Sequence, residues 1–315
     1  MARRAVAIIG GGSWGLALAA AAARTGPTLL HTRRALNGSL PKGVTQASDF
    51  RQIGKEARLI LLAVPSEIAR VVLRDLGDHL DGRHFVVHGI RGLAGEHLTR
   101  VADLVRQETP VRRVGAIGGP ALAEDLLAGR PSVMVSGSHF PEVTEALREG
   151  LGCHTLRLYA TDDLVGLEWA SALVGCLAIG VGYAQALGLS PGLVAAYISR
   201  SVTEASKIAA AAGGDERTLL GLAGNGDLLA CAGQTERPEV LLGRALAHGT
   251  PLVDALRDMK TRIEAVDLIP RVVAFAEANR VSCPIFKSLN HGVLAAQSTE
   301  EIVQALMNAP IEDRG

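Results

Sequence analysis

Short apolar runs recur through the first half of the chain: Ala5 to Ile9, Pro27 to His31, Arg58 to Val64, His84 to His88, Val114 to Ile117, Pro131 to Val135 and Leu156 to Tyr159. Apolar runs of this length, bounded by turn residues, read as strands buried on both faces. Between them lie segments with helical spacing, among them Leu16 to Arg24, Glu67 to Leu80, Leu98 to Arg106 and Pro141 to Leu151. Strands alternating with helices predict a parallel sheet covered on both faces. From Asp162 onward the pattern changes. Val165 to Leu187, Pro191 to Ala212, Pro238 to His248, Pro251 to Lys260, Asp267 to Asn279 and Ile285 to Leu294 all carry helical periodicity, and proline opens several of them. No strand is read there. The expected organisation is an α/β domain over residues 1–160 and an all-helical domain over residues 161–315.

The junction after the first apolar run carries the clearest chemistry. Gly10-Gly11-Gly12-Ser13-Trp14-Gly15 follows Ile9 directly and leads into an Ala-rich helix. Strand, glycine turn and helix form the setting in which G-x-G-x-x-G signals dinucleotide binding. Gly10 allows the tight turn, Gly12 lets a pyrophosphate approach the backbone, and Gly15 lets the helix pack on the strand. The free N–H groups and dipole of the helix start favour phosphate. With this turn the first domain reads as a doubly wound, Rossmann-type parallel sheet. Gly10, Gly12, Ser13, Trp14 and Gly15 are its expected cofactor residues. NAD-selective sheets place an acid near the end of the second strand, where this chain has Arg33 and Arg34. Two cations suit a 2′-phosphate, so NADP is favoured over NAD.

Charge and cysteine content narrow the setting. Lys and Arg number 32 and Asp and Glu number 32, so nothing points to nucleic acid or an acidic membrane surface. No stretch of 18 uninterrupted apolar residues appears, and no membrane insertion is expected. Cys153, Cys176, Cys231 and Cys283 show no paired spacing, which fits reduced thiols and a cytoplasmic setting. No His, Cys or acidic cluster has metal spacing, so no metal is expected.

The local sequences carry a resemblance. Gly10 to Ala19, Leu62-Ala-Val-Pro-Ser66, Gly119-Pro120 with Ala123-Glu124, Asp162 to Glu168, Gly221-Leu-Ala-Gly-Asn-Gly-Asp227 and Pro284-Ile285 resemble, in order, the NAD(P)-dependent glycerol-3-phosphate dehydrogenases. The resemblance implies reduction of dihydroxyacetone phosphate to sn-glycerol 3-phosphate with NADH or NADPH, supplying phospholipid synthesis. It also implies a lysine that polarises the carbonyl and protonates the alkoxide, and an arginine that holds the phosphate.

At those positions the chain departs from the resemblance. The G-A-L-K-N run falls on Ser171 to Gly175, which puts Val174 where the lysine belongs. The earlier K-G pair falls on Arg91-Gly92; arginine keeps the charge but does not release a proton near neutral pH. Asp227 is retained, the following threonine becomes Cys231, and the S-R-N run falls on Arg237-Pro238-Glu239. Ala265 replaces a glycine after Glu264, and a C-terminal arginine falls on Ala309. Arg91 and Asp227 are therefore the expected catalytic residues, and Arg91, Gly119, Asp227 and Arg237 the expected substrate contacts. Asp227 reads equally as a helix cap after a glycine turn. His88 reads as a structural strand-end residue more readily than as a proton donor. Cys231, close to Asp227, is not expected to be a nucleophile. A buried Glu168 needs a partner, for which Arg200 is the expected candidate. Two alternatives stay open: an NAD(P)H-binding protein without turnover, and a reductase of a different small carbonyl. The Ala- and Leu-rich helices also fit a homodimer.

Overall fold

The computed structural model describes residues 5–33, 38–234, 236–259 and 262–294; Arg34, residues 35–37 and Ala309 lie outside the described residues. Two compact units divide at Ser171 and Ala172. The first contains β1 (Ala5–Ile9), α1 (Ser13–Ala23), β2 (Thr28–His31), β3 (Val44–Gln46), α2 (Phe50–Glu56), β4 (Ala57–Leu62) and α3 (Ser66–Gly77). It continues with β5 (Phe85–His88), α4 (Val101–Glu108), β6 (Arg113–Gly118), α5 (Ala123–Ala128), β7 (Ser132–Gly137), α6 (Pro141–Leu151) and β8 (Leu156–Thr161).

The eight strands form one sheet in the order β3-β2-β1-β4-β5-β6-β7-β8. Chain direction along the sheet reverses between β1 and β4, and a ligand crevice opens outside the carboxyl ends of strands at such a switch point. The glycine turn, Ala63 after β4 and Gly89 after β5 all lie at that edge. The strands are parallel, as expected, except that β7 runs antiparallel to β6. The connection between them stays at the end where β6 leaves, packing α5 on α1, so the chain re-enters the sheet running backward. Strand β3 is short and largely exposed, so it carries no apolar run to read. Ile8, Leu30, Leu61 and Val87 pack with the alanines of α1 in one core. The alanine face brings α1 close to the sheet and so fixes where its first turn points.

Helix α7 (Leu164–Ala186) spans the division between the units. It is long and apolar enough to cross a membrane, but 94% of its apolar window is buried within the protein, as in a core helix. The second unit continues with α8 (Pro191–Ala211), α9 (Glu216–Leu220), a π-helical turn (Leu222–Gly226), α10 (Asp227–Gly233) and α11 (Pro238–Ala247). It closes with α12 (Leu252–Asp258), α13 (Ala265–Ala278), α14 (Pro284–Lys287) and a π-helical turn (Ser288–Val293). The described part of this unit is helical throughout, as expected. Glycine sets the crossing of α7 and α11: a Cβ on Gly243 would lie 1.9 Å from Ile179 O, and one on Gly182 2.1 Å from Val240 O.

Candidate functional site

The first unit builds its site on the turn after β1. Gly10 has φ +122°, and a Cβ there would lie 2.1 Å from Ala63 O. A Cβ on Gly15 would lie 1.9 Å from Gly10 O. Both glycines are therefore required by the fold itself. Gly12 differs: nothing lies within 4 Å of where its Cβ would be. It is the N-cap of α1, with no side-chain cap and no acidic residue in the first turn. Unpaired N–H groups at a helix start beside open space make an anion cradle. Trp14 adds a buried indole Nε1 with no hydrogen-bond partner among the described residues. The indole is seated over Gly89, whose Cβ would lie 2.6 Å from Nε1. An open glycine, uncapped amides and an orphan donor fit a dinucleotide.

Arg33 lies exposed beyond the end of β2. Sequence reasoning missed its neighbour His31, whose ring stacks on Phe50 with centroids 4.4 Å apart. Burial, and then the charge of Arg33, hold His31 below the usual imidazole range, against opposing contributions from the Ala47 backbone and Asp49.

At the end of β5, His88 Nε2 lies 2.9 Å from Glu168 Oε1, and both residues are 2% exposed. The same oxygen accepts the Ala102 N–H at 2.9 Å, and Arg100 Nη1 is 3.7 Å from Oε2. Glu168 is thus held within its own unit, which corrects the expectation of Arg200. The start of α7 meets the end of β5 and the first turn of α4, where an N–H and an imidazole are already available. Arg200 instead acts on Glu204. The His88 Nδ1 accepts from Ile90 N–H at 3.4 Å, so both ring nitrogens are engaged and the ring braces the loop that carries Arg91. Arg91 Nη2 reaches Gly119 O at 3.5 Å, bringing two of the expected substrate residues together.

In the second unit Val174 is buried. Asp227 opens α10 and is 1% exposed. Its Oδ1 accepts from Arg237 Nη1 at 2.9 Å, while Gly226 holds the cap position. Arg237 Nε donates to Glu239 Oε2 at 3.1 Å, and Nη1 lies 2.9 Å from Cys231 Sγ. Burial opposes the Arg237 charge, but Asp227, Glu239 and Cys231 outweigh it and push the guanidinium higher still. Cys231 donates to Asp227 O at 3.1 Å, which leaves it a structural thiol. Pro238 takes the first position of α11, so the residue that displaces the family's arginine also starts a helix. Gln234, which sequence reasoning passed over, closes α10 and is buried. Among the described residues no group of His, Cys, Asp or Glu could hold a metal ion.

A mostly parallel sheet with an uncapped glycine cradle at its switch point, followed by a helical unit, defines a dinucleotide-binding protein of the dehydrogenase class. Models of the N-terminal and C-terminal parts of NAD-dependent glycerol-3-phosphate dehydrogenase match residues 31–144 and 163–304. The chain is 34% identical over 318 residues to the glycerol-3-phosphate dehydrogenase [NAD(P)+] of Gluconobacter oxydans, covering 97% of each chain. It superposes on the crystal structure of glycerol-3-phosphate dehydrogenase from Coxiella burnetii with a TM-score of 0.88 and 26% identity, covering 97% of this chain and 99% of that one. The yeast enzyme GPD1, at 16% identity, shares the fold with a TM-score of 0.83, covering 96% of this chain and 99% of that one. The chain belongs to the NAD-dependent glycerol-3-phosphate dehydrogenase family and uses NAD or NADP.

Proposed function

We propose that the chain reduces dihydroxyacetone phosphate to sn-glycerol 3-phosphate. The observation that carries this reading is the cradle at Gly12 and Trp14, in a chain that matches the family along almost its whole length. Gly10, Gly12, Ser13, Trp14 and Gly15 hold the dinucleotide, and Arg33 favours NADP over NAD. Bound NAD(P)H supplies the hydride. Arg91, placed by the His88-braced loop and by Gly119 O, polarises the ketone and steadies the alkoxide. Asp227 and Arg237 are further candidate substrate contacts. No lysine stands at 174, and neither arginine releases a proton near neutral pH. Protonation of the alkoxide therefore falls to water, and the rate is lower by roughly 10²–10⁴ than with a positioned acid. Free thiols at all four cysteines are compatible with a cytoplasmic home, and the helical unit with a homodimer.

A second reading, an NAD(P)H-binding protein that acts on another small carbonyl or turns over nothing, draws on Val174 and on Glu239 beside Arg237. NADPH oxidation at high enzyme concentration, with and without dihydroxyacetone phosphate, separates the two. A rate that depends on the triose phosphate supports the first reading, and NADPH binding without such a rate removes it.

A further inference from the structure

One buried carboxylate ties the end of β5, the first turn of α4 and α7 together beside the loop that carries Arg91. Glu168, on the part of α7 that lies in the first unit, is 2% exposed. Its Oε1 lies 2.9 Å from His88 Nε2 and also accepts the Ala102 N–H at 2.9 Å. Arg100 Nη1 stands 3.7 Å from Oε2. An amide donor and a nearby guanidinium suit an ionised carboxylate, which only accepts. The hydrogen between Glu168 and His88 therefore sits on Nε2.

The other ring nitrogen faces the loop. The Ile90 N–H points at Nδ1 across 3.4 Å, and a backbone amide only donates. Nδ1 must then hold a lone pair, which excludes both the imidazolium and the Nδ1–H tautomer. Glu168 thus selects the tautomer, and that tautomer leaves an acceptor for the loop. Ile90 is itself buried, so the loop is held from its apolar side as well. Arg91 follows directly and reaches Gly119 O at 3.5 Å.

Direction matters more for arginine than for lysine. An ammonium is a compact charge with rotatable donors, whereas a guanidinium presents a planar fork that has to be aimed. With Arg91 at the place of a lysine, the loop must hold the direction of the guanidinium.

We propose that Glu168 and His88 are positioning residues for the reduction: the carboxylate locks His88 as the neutral Nε2–H tautomer, and its Nδ1 holds the Ile90 amide so that Arg91 stays aimed. This rests on Arg91 as the group that polarises the ketone.

The test compares wild type, His88→Phe and His88→Asn, with thermal melting to check the fold. Phenylalanine keeps the bulk of the ring and loses both hydrogen bonds. Asparagine Oδ1 stands near the place of Nδ1 and restores the acceptor for Ile90. In NADPH oxidation with dihydroxyacetone phosphate, His88→Phe is expected to lose roughly ten- to a hundredfold in kcat while KM changes less than about twofold. His88→Asn should recover most of that rate. The Nε–H resonance of Arg91 in nitrogen NMR reads the order of the guanidinium without turnover. It should be ordered in wild type and His88→Asn, and averaged in His88→Phe. The wild-type His88 ring should show a protonated Nε2 and a bare Nδ1. An Nδ1–H ring overturns the proposal, and this spectrum decides the matter if His88→Phe does not fold. Equal losses in the two variants, the result of a purely structural role, overturn it, as does an Arg91 resonance alike in all three proteins. Wild type with the expected spectra and no rate sinks the activity and keeps the positioning of Arg91. A rate that survives His88→Phe while the Arg91 resonance averages keeps the activity and sinks the positioning role.

Discussion

Arg237 Nη1 donates to Asp227 Oδ1 across 2.9 Å, with both side chains nearly sealed from solvent. Removing one partner of such a pair strands a charge in the interior. Arg237→Ala is expected to lower unfolding stability by about 3–5 kcal/mol. Adding Asp227→Asn should recover part of that loss. Urea unfolding of the two single variants and the double variant gives the coupling. Additive losses would contradict a direct charge pair.

The fingerprint glycines should separate into two kinds. Gly12→Val meets open space, so its melting temperature should match wild type while NADPH binding falls by more than about tenfold. Gly10→Ala meets Ala63 O and a backbone at φ +122°, and should lose roughly 1–3 kcal/mol of stability. Melting curves alongside NADPH fluorescence titrations distinguish the two.

Cofactor choice is expected to rest on Arg33. If its guanidinium meets a 2′-phosphate, Arg33→Ala weakens NADPH roughly ten- to a hundredfold and leaves NADH unchanged. Equal weakening of both nucleotides would assign Arg33 to another part of the cofactor.

Glu204 on α8 gives a pH signature. It accepts the Ile285 and Phe286 N–H groups at 2.9 and 2.8 Å. Burial pushes its carboxyl up to about 7, against these hydrogen bonds and the charges of Arg200 and Lys207. The folded state then holds a proton that the unfolded chain has released, so stability falls as pH rises from about 4.5 to about 7. Glu204→Gln should flatten that part of the stability profile, measured by urea unfolding from pH 5 to pH 8. An unchanged slope would show that Glu204 is ionised throughout.

The glycine turn was legible because its demands are local: at Gly10 and Gly15 neighbouring backbone leaves no room for a Cβ. The direction of β7 was not, since it depends on which end of the sheet the α5 connection stays at. Asp227 read as following a glycine turn, and in the fold Leu222–Gly226 close into a π-helical turn between α9 and α10. Asp227 and Arg237 were each visible as candidates, but their pairing depends on how α10 leads into α11. Glu168 was expected to need a partner, and its partners lie 66 and 80 residues away, beyond any local pattern. Gln234 carries no sequence signal, because an amide at a helix end is ordinary until its burial is known.

The most direct test of the proposed activity is NADPH oxidation driven by dihydroxyacetone phosphate, with the product identified as sn-glycerol 3-phosphate. A slow rate is expected, saturable in the triose phosphate and largely lost in Arg91→Ala, from protein that still binds NADPH. Firm NADPH binding with no product at any enzyme concentration would contradict it.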